Sequence, residues 1–306
     1  MLKTGFLFPG QGSQTVGMGQ DLYEAYSEAR SIYQQAADIL GYDIAEISFH
    51  GPVEKLRQTQ FTQPALFVHS LVVSEIIGDR VMAEAAAGHS LGEFSALAYA
   101  KAYSFEDGLK LVRERGRLMQ NAGEAEPGSM AAIIGMDADS LTDLCMQASK
   151  KGVVQPANYN SPQQIVISGT KEGVAEVLRL ARLQGIRKMI ELPVSGAFHS
   201  SLMAAAVEDF GNVLKKIPFS QVHVPVYANV TAQPVSGVDE IQSLLHHQLT
   251  HPVRWVETIQ NMIEDGVQRF IEVGSGKVLS GLVRRINKDI EVISLGTAEG
   301  LEAFQG

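Results

Sequence analysis

The stretch from Ala85 to Leu97 places a serine between two glycines. Its sequence is AAAGHSLGEFSAL, and one residue separates Ser90 from Gly88 and one from Gly92. This G-x-S-x-G spacing is typical of a serine nucleophile held on a sharp turn between a strand and a helix. Small residues flank the serine because the turn crowds the backbone, while the following helix directs its N-terminal dipole and an N–H group at a developing oxyanion. A pattern with three fixed residues in five also occurs by chance. Whether this one marks a nucleophile therefore depends on the strand and the helix around it.

A reactive serine requires a base, and the sequence offers eight histidines. His199 follows a predicted strand and a glycine-containing bend and precedes a helix, a position that brings a side chain to the carboxyl edge of a sheet. His89 adjoins Ser90, but neighbours on a turn point apart, so we expect it to support the turn. Three further histidines lie near a helix end and are expected at the surface: His246, His247 and His251.

The third member of a hydrolase triad is not evident. A common α/β hydrolase has an acid between the serine and the histidine in chain order. The candidates in that interval include Asp137, Asp139 and Asp143, which read as helix starts or surface positions. The sequence therefore favours a Ser-His dyad.

Two glycine-rich segments match the motifs of nucleotide-binding loops only in part. FLFPGQGSQTVG has Thr15 where a dinucleotide loop requires a glycine, and GSGKVLSGL has Val278 where a phosphate loop requires Ser or Thr. The single cysteine, Cys145, and the scattered histidines predict no metal site.

The overall composition limits the classes of partner and location. The 306 residues suit one large domain or two unequal domains, and the formal net charge of −9 argues against nucleic acid or an anionic membrane as the main partner. One cysteine excludes an internal disulfide and favours a reducing cytoplasm. We find no run near the roughly 18 apolar residues of a membrane span, and MLKTGFLFPG does not read as a secretory signal. A cytoplasmic protein is expected.

The first part of the chain alternates short strands with helices. This order predicts a parallel sheet covered by helices. Thr62 is the predicted N-cap of one helix, with Pro64 in its first turn. The predicted elements are a strand over Gly5–Phe8 and helices over Asp21–Leu40, Thr62–Asp79 and Phe105–Gly123.

The middle of the chain has a β-α-β-α-β pattern within about 65 residues, which predicts a small α+β unit inserted into the larger one. Ser140 is its predicted helix cap, and its edges fall at 125–128 and 193–196. The larger unit then resumes with strands in PVYANV and RFIEVG and a helix in RWVETIQNMIEDG. The predicted elements of the small unit are 129–135, 139–152, 164–169, 171–185 and 187–192.

Seven motifs distributed over nearly the whole chain carry a resemblance. In order they are FLFPGQGSQ, GHSLGEFSAL, RGRLMQ, NYNSPQQIVISG, PVSGAFHS, HQLTHPVRW and EVGSGKVLSGL. Their order and spacing resemble those of the malonyl-CoA:acyl carrier protein transacylases, whose pattern the acyltransferase domains of polyketide synthases share. The departures are Ser275, where the family more often has proline, and a looser match over Tyr99–Ser104.

The resemblance implies an α/β fold with two parts. Residues 1–125 and 196–306 would form a large α/β-hydrolase-like catalytic domain with a parallel sheet. Residues 126–195 would form an inserted ferredoxin-like α+β subdomain, in agreement with the edges of the predicted small unit.

The resemblance also implies the roles of individual residues. Ser90 and His199 would form the catalytic dyad, with the backbone carbonyl of Gln248 orienting the histidine in place of an acid. The backbone N–H groups of Gln11 and Leu91 would form the oxyanion hole.

Two further residues are assigned to the substrate. Arg115 would bind the malonyl carboxylate, and Asn160 matches an asparagine near the site.

The implied activity is a two-step acyl transfer through a malonyl-serine ester. Malonyl-CoA is the donor, the phosphopantetheine thiol of acyl carrier protein is the acceptor, and no cofactor is implied. Both fatty-acid and polyketide chain extension use this step. Two rivals remain: a thioesterase or acyl hydrolase that uses the same turn, and a non-catalytic carrier-binding module. The missing acid and Arg115 favour the transferase over the hydrolase.

The expected carrier protein is acidic, so its docking requires a local basic patch on this acidic chain. The segment LVRRINK supplies Arg284, Arg285 and Lys288, and Arg187 with Lys188 lies in the small unit. The alternative interpretation of both groups of basic residues is that they are solvated surface charges without a docking role. A monomer is expected.

Overall fold

The computed structural model of the protein describes residues 2–194, 196–235 and 237–306. Within these residues the chain forms two β-sheets and fourteen α-helices. The strands are β1 (Thr4–Phe8), β2 (Ala85–Gly88), β3 (Gly128–Ile134), β4 (Val154–Ser161), β5 (Gln164–Thr170), β6 (Lys188–Glu191), β7 (Val226–Tyr227), β8 (Pro234–Val235), β9 (Arg269–Val273) and β10 (Glu291–Leu295). The helices are α1 (Gln20–Ala25), α2 (Ser27–Leu40), α3 (Ile44–His50), α4 (Val53–Leu56), α5 (Thr59–Ile77), α6 (Leu91–Tyr99), α7 (Phe105–Ala125), α8 (Ala138–Ala148), α9 (Lys171–Leu183), α10 (Ala204–Leu214), α11 (Val238–Gln248), α12 (Trp255–Glu264), α13 (Val278–Ile286) and α14 (Ala298–Ala303).

The larger sheet has six strands in the order β10-β9-β1-β2-β7-β8. Its pairs are parallel except for β7 with β8. Every residue of β1 is buried, and its successive side chains enter opposite cores: Phe6 and Phe8 pack into one and Leu7 into the other. Burial on both faces is what a parallel sheet covered by helices requires. The predicted α/β class is confirmed.

The smaller sheet has four antiparallel strands in the order β4-β5-β3-β6. The chain order β3-α8-β4-β5-α9-β6 is the ferredoxin-like arrangement, which confirms the predicted inserted α+β unit. The sequence prediction lacked β4. The predicted second boundary of this unit falls on Ser195, which lies outside the described residues.

Strand β4 also connects the smaller sheet to the rest of the protein. The Tyr159 N–H donates to the carbonyl of Val253 (2.9 Å), and the Val253 N–H donates to the carbonyl of Ala157 (2.8 Å). Val253 lies on the segment that follows α11, so this segment and β4 form a short parallel bridge.

Three local predictions were wrong. The helix predicted over Asp21–Leu40 is two helices, because Tyr26 is extended at φ −119° and ψ 134°. Helix α5 begins at Thr59, and Thr62 lies inside it with its hydroxyl donating to the carbonyl of Gln58 (3.1 Å). Asp137, one turn before Ser140, caps α8 by accepting from the Ser140 N–H (2.9 Å).

The stretch Thr59–Arg80, which includes α5, is long and apolar enough by composition to cross a membrane. This differs from the sequence expectation. However, 67 % of its most apolar window is buried inside the protein, as in the core helix of a globular fold.

Candidate active site

Ser90 occupies a strained turn between β2 and α6. Its φ of 52° and ψ of −105° lie in a region that residues with a side chain rarely adopt. A Cβ atom on Gly88 would overlap the backbone of Gly92, and one on Gly92 would overlap the carbonyl oxygen of Phe8 in β1. Both glycines are therefore needed for close packing of the backbone. The turn leaves Ser90 half-buried at the wall of a cavity.

His199 contacts the serine hydroxyl directly. Its Nε2 lies 2.7 Å from Ser90 Oγ, and its Nδ1 lies 2.8 Å from the carbonyl oxygen of Gln248 and 3.2 Å from that of His251. Because a carbonyl oxygen only accepts, Nδ1 carries the proton and Nε2 accepts from the serine. The φ of His199 is also positive, at 58°, so both members of the pair have strained backbones.

The environment keeps this histidine neutral. Burial, reinforced by the Arg115 cation, lowers the pKa of His199 to about 3. An imidazole that is neutral throughout the physiological range is a base ready to accept the serine proton.

His89 has the supporting position expected of it. Its Nε2 lies 2.8 Å from Oδ1 of Asn160 on β4, and its ring packs against Trp255 with centroids 5.4 Å apart. Asn160 therefore contacts the turn through His89.

Arg115 of α7 is 1 % exposed, and its guanidinium lies against the same serine. Nη2 donates to Ser90 Oγ (3.1 Å) and to Oε1 of Gln248 (2.8 Å), while Nη1 donates to Oε1 of Gln63 (2.8 Å). Its Cζ lies 5.0 Å from the ring centroid of Phe94. Within the described residues its Nε has no hydrogen-bond partner.

The charge of Arg115 is sensitive to this burial. Burial lowers the pKa of Arg115 to about 9, and the carboxylate of Glu93 opposes the shift. The guanidinium is therefore charged at neutral pH. It favours negative charge on Ser90 Oγ and on an incoming carboxylate.

Gln11 and Leu91 also line the cavity beside Ser90. The loop that carries Gln11 touches the turn, because a Cβ on Gly10 would overlap the carbonyl oxygen of His89. Leu91 is the first residue of α6. Within the described residues neither backbone N–H makes a hydrogen bond, so both can donate to an oxyanion in the cavity.

The cavity has a volume of about 100 Å³, so only a small acyl group fits beside Ser90. Its polar lining includes Ser90, His199 and Arg115. Its apolar lining includes Met119, Met130, Leu192, Val194 and Phe198.

Sequence reasoning missed the buried groups that hold these residues in place. Glu93, one turn after Ser90, accepts from the Asn229 N–H (3.0 Å) and from Nε2 of Gln248 (2.7 Å). Asn229 Oδ1 accepts from the Ser90 N–H (2.7 Å). Two signals were available, since Glu93 lies within the GHSLGEFSAL motif and Asn229 follows a strand at the carboxyl edge of the sheet.

The second glycine-rich loop leads to a helix N-terminus that is already occupied. Glu272, at the end of β9, accepts from the N–H groups of Leu279 (2.9 Å) and Ser280 (2.8 Å). Its carboxylate fills the place of a bound phosphate at the start of α13.

The predicted carrier-docking cluster lies apart from the cavity. Arg284 and Arg285 are in the last turn of α13 and Lys288 is in the connection to β10, and all three are exposed. This connection returns to the amino edge of the sheet, whereas Ser90 follows the carboxyl end of β2. Lys188, by contrast, begins β6, which leads into the cavity wall at Leu192.

Comparisons with known proteins agree with this geometry. Residues 5–296 match the acyl transferase domain family. The chain is 41 % identical to the malonyl CoA-acyl carrier protein transacylase of Staphylococcus aureus (strain MRSA252) over 305 residues, 99 % of each chain. The structure of the transacylase from Coxiella burnetii superposes with a TM-score of 0.95 at 39 % identity, covering 98 % of this chain and 96 % of that one.

A second similar structure contains a carrier protein. It is a type II polyketide-synthase acyl-carrier protein in complex with its malonyl-transacylase, matched with a TM-score of 0.95 at 36 % identity over 98 % of both chains. The chain therefore belongs to the acyl transferase family and, within it, to the malonyl CoA-acyl carrier protein transacylases.

Proposed function

We propose that this protein transfers the malonyl group of malonyl-CoA to the phosphopantetheine thiol of acyl carrier protein through a malonyl ester on Ser90. The observation that carries the proposal is the placement of one hydroxyl between a base and a cation. Ser90 Oγ lies 2.7 Å from His199 Nε2 and 3.1 Å from Arg115 Nη2. The base activates the nucleophile, and the cation suits a donor that bears a carboxylate.

In the first step Ser90 Oγ attacks the thioester carbonyl carbon and its proton passes to His199 Nε2. The N–H groups of Gln11 and Leu91 stabilise the oxyanion, and each such donor is worth about 3–4 kcal/mol in comparable sites. Collapse breaks the C–S bond, and CoA leaves as a thiol with the proton from His199. Malonyl-serine remains.

In the second step the carrier thiol gives its proton to His199 and attacks the ester carbonyl. The C–O bond to Ser90 breaks, and the serine recovers the proton from His199. Through both steps Arg115 exchanges its contact with Ser90 Oγ for a two-pronged pair with the malonyl carboxylate. Gln248 orients His199 through its carbonyl, and Asn160 supports the turn through His89.

The remaining assignments complete the proposal. Residues 1–125 and 196–306 form the catalytic domain and 126–195 the inserted subdomain. The protein works in the cytoplasm, as a monomer and without a cofactor. For carrier docking the assignment from the sequence is Arg284, Arg285 and Lys288; since this cluster lies towards the amino edge of the sheet, away from Ser90, Lys188 at the start of β6 is the alternative to be tested against it. The single cysteine, which excludes an internal disulfide, supports the cytoplasmic assignment.

The test is the intact mass of the protein after it is mixed with malonyl-CoA alone. We expect one malonyl adduct in the wild type, none in Ser90→Ala, and removal of the adduct when holo-carrier protein is added. Cys145 is the control nucleophile, and burial raises the pKa of its thiol to about 12.

Three outcomes contradict the proposal. An adduct that persists in Ser90→Ala or maps to Cys145 assigns the wrong nucleophile. An adduct that water removes as fast as the carrier does indicates a thioesterase. No adduct in the wild type indicates a non-catalytic carrier-binding module.

A further inference from the structure

Glu93 is a buried carboxyl group that no step of the proposed reaction uses. It lies in the first turn of α6 and is 2 % exposed. A buried carboxylate without a function or a partner destabilises a fold, so its contacts require an explanation.

A single oxygen of Glu93 makes the hydrogen bonds. Oε2 accepts from the backbone N–H of Asn229 (3.0 Å) and from the side-chain Nε2 of Gln248 (2.7 Å). Oε1 makes no hydrogen bond within the part of the chain that the structure describes.

Asn229 connects Glu93 to the nucleophile. Its Oδ1 accepts from the Ser90 N–H (2.7 Å) and its Nδ2 donates to the carbonyl of Gly88 (2.7 Å). The two bonds fix the strained turn on both sides of His89, and Glu93 fixes the backbone of Asn229.

Gln248 connects Glu93 to the base and to the cation. Its backbone oxygen accepts from His199 Nδ1 and its Oε1 accepts from Arg115 Nη2, both at 2.8 Å. Glu93 holds the other end of the same amide. A single intervening residue therefore connects the carboxyl group to each member of the site: Asn229 connects it to Ser90, and Gln248 connects it to His199 and Arg115.

Both hydrogen bonds require an oxygen acceptor at the Oε2 position of Glu93 and do not require a negative charge there. Burial raises the pKa of Glu93 to about 7, against the opposing effect of the hydrogen bonds from Asn229 and Gln248 and of the Arg115 cation. Glu93 is therefore protonated more readily than an ordinary glutamate. One oxygen lone-pair acceptor at the Oε2 position is common to the charged and the neutral form.

We propose that Glu93 is a positioning residue for acylation: its Oε2 holds Asn229 and Gln248 so that the nucleophile, the base and the cation face the same acyl group. The inference rests on the proposed function, because it assumes that Ser90 is acylated.

The test compares three replacements that separate acceptor, charge and length. Glu93→Gln keeps the length and offers a carbonyl oxygen at the Oε2 position. Glu93→Asp keeps the charge but is one methylene too short to reach both donors. Glu93→Ala removes the acceptor altogether. Glu106→Gln, on the exposed face of α7, is the matched control.

The measurement is the single-turnover rate of acyl-serine formation from malonyl-CoA and from acetyl-CoA, per folded molecule as determined by thermal unfolding. We expect Glu93→Gln to stay within about fivefold of the wild type, because a neutral acceptor bonds more weakly than a charged one. We expect Glu93→Asp and Glu93→Ala to lose about 10²-fold with both donors, as misplacement by an ångström does.

The outcomes decide between positioning and mere stability. If Glu93→Ala lowers only the melting temperature and keeps the rate per folded molecule, the proposal is overturned. If Glu93→Ala does not fold, Glu93→Asp acylating faster than Glu93→Gln overturns it as well. Absence of any adduct in the wild type and in Glu106→Gln would instead contradict the proposed function itself.

Discussion

Two strand–turn–helix units of the larger sheet differ in what their helices offer. At the start of α6 the turn carries Ser90, and Leu91, which lines the cavity, has an N–H without a partner among the described residues. At the start of α13 the N–H groups of Leu279 and Ser280 bind the carboxylate of Glu272. Both segments are glycine-rich and both follow a parallel strand.

The difference shows that a helix N-terminus becomes a reactive site only when the chain leaves it unoccupied. At α13 a carboxylate from the preceding strand satisfies the donors and stabilises the fold. At α6 the Leu91 N–H has no hydrogen-bond partner in the part of the chain that the structure describes, and Ser90 is held in a strained conformation between a base and a cation. We expect substitutions near α6 to change rates and substitutions near α13 to change stability.

The largest expected effect is at the base beside α6. His199→Ala should slow malonyl-serine formation and its transfer to the carrier together, by about 10²–10⁴-fold. Rapid-quench measurement of each half-reaction checks this, with the melting temperature as a control for folding. Near-normal turnover in His199→Ala together with loss in His89→Ala would show that the other histidine is the base.

Removing the cation should change donor selectivity. Arg115→Ala strands the malonyl carboxylate, which costs about 3–5 kcal/mol for a buried pair that loses one partner. We therefore expect malonyl-CoA to lose about 10²- to 10⁴-fold in kcat/KM relative to acetyl-CoA, which has no carboxylate. Arg115→Lys should keep only part of the preference for malonyl-CoA, because an ammonium group is a point charge and cannot pair with both carboxylate oxygens as a guanidinium does. Equal losses for both donors would mean that Arg115 is structural, and Arg117 would be the next cation to test.

The same cation predicts an alkaline limit. Since the pKa of Arg115 is lowered to about 9, its charge is lost as pH rises through that value. For the acylation step, kcat/KM with malonyl-CoA should fall by about tenfold per pH unit above this limit. The acetyl-CoA profile should not share this fall, and Arg115→Lys should move the fall with malonyl-CoA to lower pH, because the ordinary pKa of lysine is lower than that of arginine and burial lowers both. A decline at the same pH with both donors, unchanged in Arg115→Lys, would assign the limit to another group.

At α13 the expected effect is on stability. Glu272 uses both oxygens as acceptors, so Glu272→Gln turns an NH2 group towards a buried N–H. We expect a loss of about 1–3 kcal/mol in the free energy of unfolding, measured with urea. The acylation rate per folded molecule should remain close to that of the wild type. A rate loss without a stability loss would contradict the contrast between the two helices.

The smallest expected effect is at the far end of α13. If the carrier docks there, Lys288→Glu should weaken transfer to the carrier roughly severalfold and reduce its salt dependence, while acylation by malonyl-CoA is unchanged. Lys188→Glu, on the strand that leads into the cavity wall, is the matched comparison. Loss with Lys188→Glu and not with Lys288→Glu would move the docking surface to β6.

Ser90 and His199, which line the cavity, could be predicted because each lies in a recognisable motif within a single segment of the chain. Ser90 lies in a spaced glycine pattern, and His199 follows a glycine-containing bend at the carboxyl edge of a sheet. Glu93 and Asn229 were missed because their importance depends on burial and on hydrogen bonds between residues 136 positions apart. A pattern within one segment does not contain that information.

Strand β4 was missed for a different reason. Its pairing with β5 shifts register between Pro156 and Asn158 and again between Tyr159 and Ser161. These irregularities interrupt the alternation of apolar and polar residues that predicts a strand, and proline is uncommon within one. The helix break at Tyr26 has no glycine or proline to mark it, so the periodicity continues across it.

The bridge between β4 and Val253 constrains how this enzyme can be recombined with its relatives. It ties the smaller sheet to the short segment whose carbonyl groups, from Gln248 and His251, hold the imidazole of His199. A chimera that exchanged only residues 126–195 would pair a foreign β4 with a native 248–253 and tilt the base. A chimera would therefore have to take residues 126–195 and residues 248–253 from the same parent protein.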